Sequence, residues 1–500
     1  MYKKLLINMA SHETRVALLE DGTIAELFIN RNDQADITGN IYKGRIQRVL
    51  PGMQAAFVDI GLSQAAFMYV DDVYREGDEG QAPDTDEDLG AQPKIQKPIE
   101  HLLCEGQTVL VYVAKSPLGS KGARVSSYVS LPGRFLVLMP NVNHIGVSRR
   151  IEDESERGRL KQLVARLRED HSGYIVRTAA ENVEDDKIAS EMLFLKELWQ
   201  TIRRRYETGQ APALLHQELD VSLRAVRDLM THEVEKLVID SLDGYQAVLS
   251  YLDRFMPSLK GCVELYDGSE PIFDAYNLEG DISRALKQKV WLKSGGYIVI
   301  QQTEALVAID VNTGRYVGKH NLEETIVKTN LEAVKEIAYQ IRLRDIGGII
   351  IIDFIDMEKA TSREKVFQAL KEALKRDRSK THVVPFSELG LVQMTRKRSK
   401  NSLTLSLCEP CLYCEGEGRL LSARSVCYNL YREVLRAGSD MDGAGLTLLV
   451  NPSVAELLHG QERPLVADLE ARIGRTIIVD PEPEYHLEQY EVVENRADGK

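Results

Sequence analysis

The chain has 500 residues, 43% of them hydrophobic, and a formal net charge of −13. That is more chain than one hydrophobic core usually supports and enough apolar side chain for several, so a multidomain globular protein is expected and a largely disordered one is excluded. The negative balance speaks against a protein that coats nucleic acid through one large positive surface, because that mode depends on many phosphate contacts.

Residues 1–36 read as short strands, KKLLINMA, TRVALLEDG and IAELFIN, with an Asp21-Gly22 turn between the last two. This is too little sheet to stand alone. No run approaches the roughly 20 apolar residues that cross a bilayer, and the opening residues are broken by polar side chains, so a cytoplasmic protein is expected. Residues 37–128 are a succession of short strands punctuated by Gly39, Gly44, Gly52 and Gly61, the pattern of a small β-barrel. An acidic stretch at 71–88, within an insert reaching residue 95, has the composition of a solvated loop. Phe57 and Phe67 fall in neighbouring strands, and Lys43, Arg45 and Lys121 add positive charge, the combination of stacking platforms and phosphate contacts used by oligonucleotide-binding barrels. On composition alone, buried core is the simpler role for either phenylalanine.

Residues 129–221 mix strands (FLVLMP, GYIVRTA) with amphipathic helices (ESERGRLKQLVARLRED, IASEMLFLKELWQTIRRRYE), a compact α/β unit. In residues 222–284, LRAVRDLMTHEVEKLVI reads as helical, and the segment from Ser250 to Ile282, with the loop-like FMPSLKG and LYDGSEPIF, is expected to complete the N-terminal sheet. Residues 285–406 hold a glycine-led hairpin GGYIVIQQTEALVAIDVNTG, a long helix NLEETIVKTNLEAVKEIAYQIRLRD and a buried strand GGIIIIDFIDM, so α and β elements alternate. Residues 407–418 carry a cysteine cluster, and residues 419–500 a helix (SVCYNLYREVLRAG) and strands (LTLLV, TIIVD) of a small α/β end domain. The runs Arg203-Arg204-Arg205 and Arg396-Lys397-Arg398 are candidate phosphate contacts, although such runs are by default solvated faces.

The strands ALVAID and GIIIID end in Asp310 and Asp353, with Asn312 two residues beyond Asp310 and so on the same face. Two converging carboxylates need a cation, and Mg²⁺, which prefers carboxylate oxygens and keeps several waters, suits them best. Such an ion orients or acidifies a water and offsets charge at a phosphodiester undergoing hydrolysis. Asp356 and Glu304 are further acids for an outer shell or a second ligand. The plainer alternative is that Asp310 and Asp353 merely cap strand ends. Phosphate-loop, zinc-protease and serine-hydrolase signatures are absent.

Six cysteines, three crowded at Cys408, Cys411 and Cys414 and three scattered at Cys104, Cys262 and Cys427, suggest a metal site in a reducing compartment rather than a disulfide framework. Cys411-x-x-Cys414-x-Gly is a metal knuckle. A tetrahedral zinc wants four ligands, so either Cys408 joins with a distant ligand or two chains each give Cys411 and Cys414 to one shared ion, making a homodimer; unliganded thiols and an iron–sulfur cluster are the alternatives.

The strings GNIYKGRIQRVLPGMQAAFVDIG, LVLMPNVNHIGVSRRIE, VRTAAE, GGYIVIQQTEALVAIDVNTG and RDIGGIIIIDFIDM resemble the catalytic half of the bacterial ribonuclease E/G family, closer to the G branch. The resemblance implies an S1 (OB-type) RNA-binding barrel, a 5′-sensor α/β unit, a split RNase-H-like scaffold without its catalytic acids, a DNase-I-like catalytic domain, a zinc link and a small C-terminal domain. It implies an endoribonuclease that cuts single-stranded RNA, stimulated by a 5′-monophosphate, leaving 5′-phosphate and 3′-hydroxyl ends in ribosomal and transfer RNA processing and messenger RNA decay. It also implies residue roles: Asp310 and Asp353 for magnesium with Asn312 assisting, Phe57, Phe67 and Lys121 for RNA, and Gly133, Val137, Arg177 and Thr178 for the 5′-phosphate. Lys380 stands where the ribonuclease E pattern has an arginine, keeping charge but losing the bidentate fork.

Overall fold

A computed structural model describes residues 2–31, 36–74, 97–117, 121–230, 233–314, 322–398, 402–437 and 445–495. The acidic insert beyond residue 74 lies outside the described residues. The chain is a mixed α/β protein that divides into two compact units, residues 1–406 and 407–500. Among the described residues no helix is long and apolar enough to cross a membrane.

The N-terminal hairpin joins strands Glu13–Glu20 and Thr23–Arg31 through Asp21 and Gly22, both at positive φ (49° and 84°), the backbone that a two-residue turn between twisted strands requires. Its sheet is completed from far along the chain: Lys3–Met9 pairs in parallel with Val234–Ile239, which pairs in parallel with Val263–Leu265. The helix expected over LRAVRDLMTHEVEKLVI is therefore wrong in its second half. Helix Val221–Leu229 starts at Asp220, whose carboxylate accepts the amides of Ser222 and Leu223, and it stops before Val234, where a strand begins. Leu237, Val238 and Ile239 are all buried because the strand lies inside the sheet, and such a short apolar run has no periodicity to separate it from a buried helix.

Five strands, Ile41–Leu50, Ala55–Asp59, Ala66–Tyr69, Arg124–Ser126 and Thr108–Lys115, form a closed barrel, the first pairing with both the second and the last. Ile46, Val58, Met68, Val111 and Val125 fill it. Strand Ala213–His216 adds outside the closure, on Ile41–Leu50. A four-stranded sheet containing Leu136–Met139 and Gly173–Val176 packs under helices Glu154–Leu167 and Asp185–Thr208.

The sheet that carries the paired aspartates has the order Lys289–Trp291, Tyr297–Gln302, Leu306–Asn312, Gly348–Asp353, Leu391–Arg396, Thr381–Val384. Alternation decides its faces. Ile298, Ile309, Val311, Ile350 and Ile352 turn to one side, against Ala333 and Ile337 of helix Leu322–Leu343 and Val366 and Leu370 of helix Ala360–Leu374. The residues between them, Asp310 and Asp353 included, are left on the other, more accessible side. Glycine is needed at one end: a Cβ on Gly314, at φ +60°, would stand 2.3 Å from the Gly295 carbonyl oxygen, and one on Gly296 2.7 Å from that of Asn312.

In the second unit the three-stranded sheet Thr476–Pro481, Gly445–Val450, Tyr490–Asn495 packs with helices Ala423–Ala437, Pro452–His459 and Arg463–Ile473.

Candidate active site

Asp310 and Asp353 sit directly opposite one another on adjacent parallel strands, and both are exposed. Asn312 Nδ2 donates to Asp310 Oδ2 at 2.7 Å, which fixes that carboxylate with one oxygen already bonded. The Asp353 carboxyl is pushed above its ordinary range by partial burial, and by the negative charges of Asp310 and Asp356. Asp356 thus belongs to the same field. Glu304 does not: it lies in the turn before strand Leu306–Asn312, and the strand from Leu306 to Asp310 alone spans about 13 Å. Among the described residues no three His, Cys, Asp or Glu side chains converge as a ligand set. The donors present are hard carboxylate oxygens on an open face, which fits a cation that keeps most of its waters, as magnesium does.

On the barrel, Phe57 and Phe67 are paired across neighbouring strands and, against the core role that composition favours, lie on its outer surface. Phe57 is 40% exposed, and Tyr69, two residues beyond Phe67 and so on the same face, is 41% exposed. The Phe67 and Tyr69 rings meet edge to face at 5.4 Å, and Arg124, paired with Asp72, stands 5.3 Å over Tyr69. Lys121 is exposed, and its neighbour Gly122 abuts Ala65 so closely that a Cβ would lie 1.9 Å from the carbonyl oxygen, which brings Lys121 beside the strand of Phe67. Lys43 and Arg45 are used otherwise. Lys43 Nζ donates to the carbonyls of Tyr206 and Gly209 (2.7 and 2.9 Å) and Arg45 to that of Ala211 (3.3 Å), tying barrel to helix end.

Arg177 donates to the Gly133 carbonyl and to the Asp228 carboxylate, both at 2.8 Å, and the Thr178 hydroxyl lies 2.9 Å from that of Ser148. The Gly133 amide is already given to the Leu136 carbonyl (2.7 Å), and the Val137 side chain is buried in the sheet. Burial works to raise Asp228, yet the guanidinium groups of Arg227 and Arg177 hold it well below the ordinary carboxylate range. Lys380 is exposed at the start of strand Thr381–Val384. Its segment reaches this place through Arg378, which donates to the Asp228 carbonyl (3.1 Å) while its own carbonyl accepts from Arg150 (2.6 Å). Arg378, Arg150 and Asp228 were invisible to motif reading, because they meet across 150 and 228 residues of sequence.

Of the basic runs, Arg396 is buried between Asp345 and Asp377 (2.5 and 2.7 Å) and is no phosphate contact. Arg205 turns to the Leu215 carbonyl, leaving Arg203 and Arg204 exposed.

In the second unit, Gly418 N–H donates to Cys414 Sγ (3.3 Å) and Glu417 N–H to the Cys414 carbonyl (2.8 Å), with Glu415, Gly416 and Gly418 at positive φ. The Cys411 thiol is drawn below its ordinary range by the amides of Cys414 and Tyr413 and by the Cys414 side chain. Cys408 is exposed and does not join them in a set of three.

Residues 130–399 match the model of the Ribonuclease E/G family. The chain is 44% identical to ribonuclease G of Escherichia coli K12 over 99% of its own length and 100% of that protein. It belongs to the ribonuclease E/G family. The same identity holds for ribonuclease G of Haemophilus influenzae, over 98% of this chain and 99% of that protein. Ribonuclease E of Escherichia coli K12 is 35% identical, over 97% of this chain and 46% of its own length. Residues 410–496 match the thioredoxin-like domain of the same family. Membership makes the chain an endoribonuclease, and the closed five-stranded barrel is consistent with an S1-like domain.

Proposed function

We propose that this endoribonuclease hydrolyses single-stranded RNA with a magnesium ion held by Asp310 and Asp353, leaving 5′-phosphate and 3′-hydroxyl ends. The observation that carries the reading is the in-register pair on one open sheet face, with Asn312 bonded to one member and a third acid, Asp356, in electrostatic reach of the other. When bound, magnesium would supply a polarised water and positive charge where the attacked phosphate and the departing 3′-oxygen accumulate negative charge. Asp310 and Asp353 hold that ion, and Asn312 keeps the Asp310 carboxylate in one orientation by its 2.7 Å hydrogen bond.

Phe57 and Phe67, with Lys121, hold the strand by stacking and charge. Arg177 and Thr178 with Gly133 and Val137, and Lys380 nearby, bind a 5′-monophosphate that stimulates cutting; Arg177 then trades part of its Asp228 contact for phosphate oxygens. Residues 129–221 are the 5′-sensor, 1–36 with 222–284 an RNase-H-like scaffold, 285–406 a DNase-I-like catalytic domain, and 407–418 a zinc link. Cys411 and Cys414 from each of two chains share one zinc, which makes the working form a homodimer. The substrates are ribosomal and transfer RNA precursors and messenger RNA, in the cytoplasm.

One oligonucleotide carrying either a 5′-monophosphate or a 5′-hydroxyl, offered with and without magnesium, tests these parts together. Cutting only with magnesium, faster for the monophosphate, is expected. Equal rates for both ends would remove the sensor, and cutting in chelator would remove the metal.

A further inference from the structure

Strand Lys289–Trp291 is an edge of the aspartate-bearing sheet. Register places it: Trp291 is opposite Tyr297, and Tyr297 opposite Asn312, while Lys289 is opposite Val299, Val299 opposite Asp310, and Asp310 opposite Asp353. Directly paired residues share a face. Lys289, Trp291 and Tyr297 therefore stand on the same side of the sheet as Asp310, Asn312 and Asp353, with Trp291 two strands, or about 10 Å, from the Asn312 row.

These three side chains form one cluster. Trp291 and Tyr297 meet edge to face with centroids 5.3 Å apart, and Lys289 Nζ lies 4.2 Å from the Trp291 centroid and 3.6 Å from that of Tyr297. Trp291 is nonetheless 63% exposed, so most of its indole is accessible to a ligand. A flat accessible indole beside an ammonium group, next to acids that act on a phosphodiester, has the chemistry of a nucleotide site: a ring for the base and a cation for the backbone.

We infer that Trp291, backed by Tyr297 and Lys289, is a stacking subsite for the base of a nucleotide adjoining the scissile phosphate of single-stranded RNA. The inference rests on the reading of Asp310 and Asp353 as the cutting site. Its role is positioning: the base held on Trp291 fixes which phosphate lies over the carboxylates.

The chain has two tryptophans, and the other, Trp199, is partly buried in a separate core, so a Trp199→Phe protein reports Trp291 alone. In magnesium-free buffer, adding a single-stranded oligonucleotide should quench that emission, and an oligonucleotide with one abasic position next to the cleavage site should not. In magnesium, Trp291→Ala should raise KM by between about 5-fold and about 150-fold, the loss of one base–aromatic stack, with kcat within about twofold. Trp291→Phe should restore most of it, and the abasic position should penalise wild type but not Trp291→Ala. An unquenched Trp291 together with an unchanged KM overturns the subsite. So does a Trp291→Ala protein that sediments as a smaller species with wild-type KM, which would give this face to another chain. Quenching is read without cleavage, so failure of the metal reading leaves it standing, and failure of the subsite leaves the aspartate variants inactive as before.

Discussion

Replacing Asp353 by asparagine should make the metal-free protein more stable while it removes activity. The carboxylates of Asp310 and Asp353 are held on adjacent strands about 5 Å apart, where two like charges repel by about 0.8 kcal/mol in water and about 3 kcal/mol at an effective dielectric of 20. Both are exposed, so salt screening favours the smaller figure, and Asp356 adds a little to it. Among the described residues the Asp353 carboxylate accepts no hydrogen bond, so Asp353→Asn loses nothing and gains about 0.5–1 kcal/mol at pH 7. Asp310→Asn gains less, because it weakens the bond from Asn312. The sign with pH follows from the raised Asp353 carboxyl: its contribution is favourable below the ordinary value of 3.8 and is lost as pH rises through its folded value, so the gap between variant and wild type should narrow as pH falls toward 3.8. Magnesium should reverse the order, since at ten times its dissociation constant it stabilises wild type by about 1.4 kcal/mol and the variant hardly at all. Urea unfolding in chelator and in magnesium measures both. A variant less stable than wild type in chelator, or one that gains as much from magnesium, would show that the two acids are not held together for a cation.

Other outcomes follow from the same structure. Arg227, 7% exposed, bonds Glu218 at 2.7 Å and Asp228 at 3.1 Å; Arg227→Met leaves Glu218 without its cation and Asp228 with Arg177 alone, and should lower stability by about 3–5 kcal/mol in urea unfolding. Asp228 is the opposite case from Asp353: its lowered carboxyl stabilises the fold above the ordinary value of 3.8, and that support is lost as pH falls below it, which circular dichroism against pH should show shifted upward in Arg177→Gln. Phe57→Ala should lower stability by about 1 kcal/mol or less, since Phe57 is 40% exposed and outside the barrel core, yet weaken RNA binding by about 1–3 kcal/mol in fluorescence anisotropy. Cys414→Ser should yield monomers in sedimentation and lose the half-equivalent of zinc per chain; a persisting dimer with one zinc per chain would remove the shared ion.

The sequence displays what is local. The Asp21-Gly22 turn, the amphipathic helices at Glu154–Leu167 and Asp185–Thr208, and the apolar strands that carry Asp310 and Asp353 can be read from spacing, although the first runs on to Asn312, because hydrophobic periodicity and turn chemistry act over a few residues. What spacing leaves open is partnership. Phe57 reads as core until barrel closure turns it outward, Lys43 is a candidate phosphate contact until distant carbonyls claim it, and Arg396, by default part of a solvated face, is buried between two carboxylates. Glu304 looks close to Asp310 in sequence and is removed by the straightness of one strand. The strand Val234–Ile239 reads as helix from sequence because a short buried run carries no period.

The central claim, that Asp310 and Asp353 together hold the cutting metal, is tested most directly by two variants. Asp310→Asn and Asp353→Asn should bind a single-stranded oligonucleotide as wild type does and cut it, in magnesium, at least on the order of 100-fold more slowly. Undiminished cutting by both would contradict it.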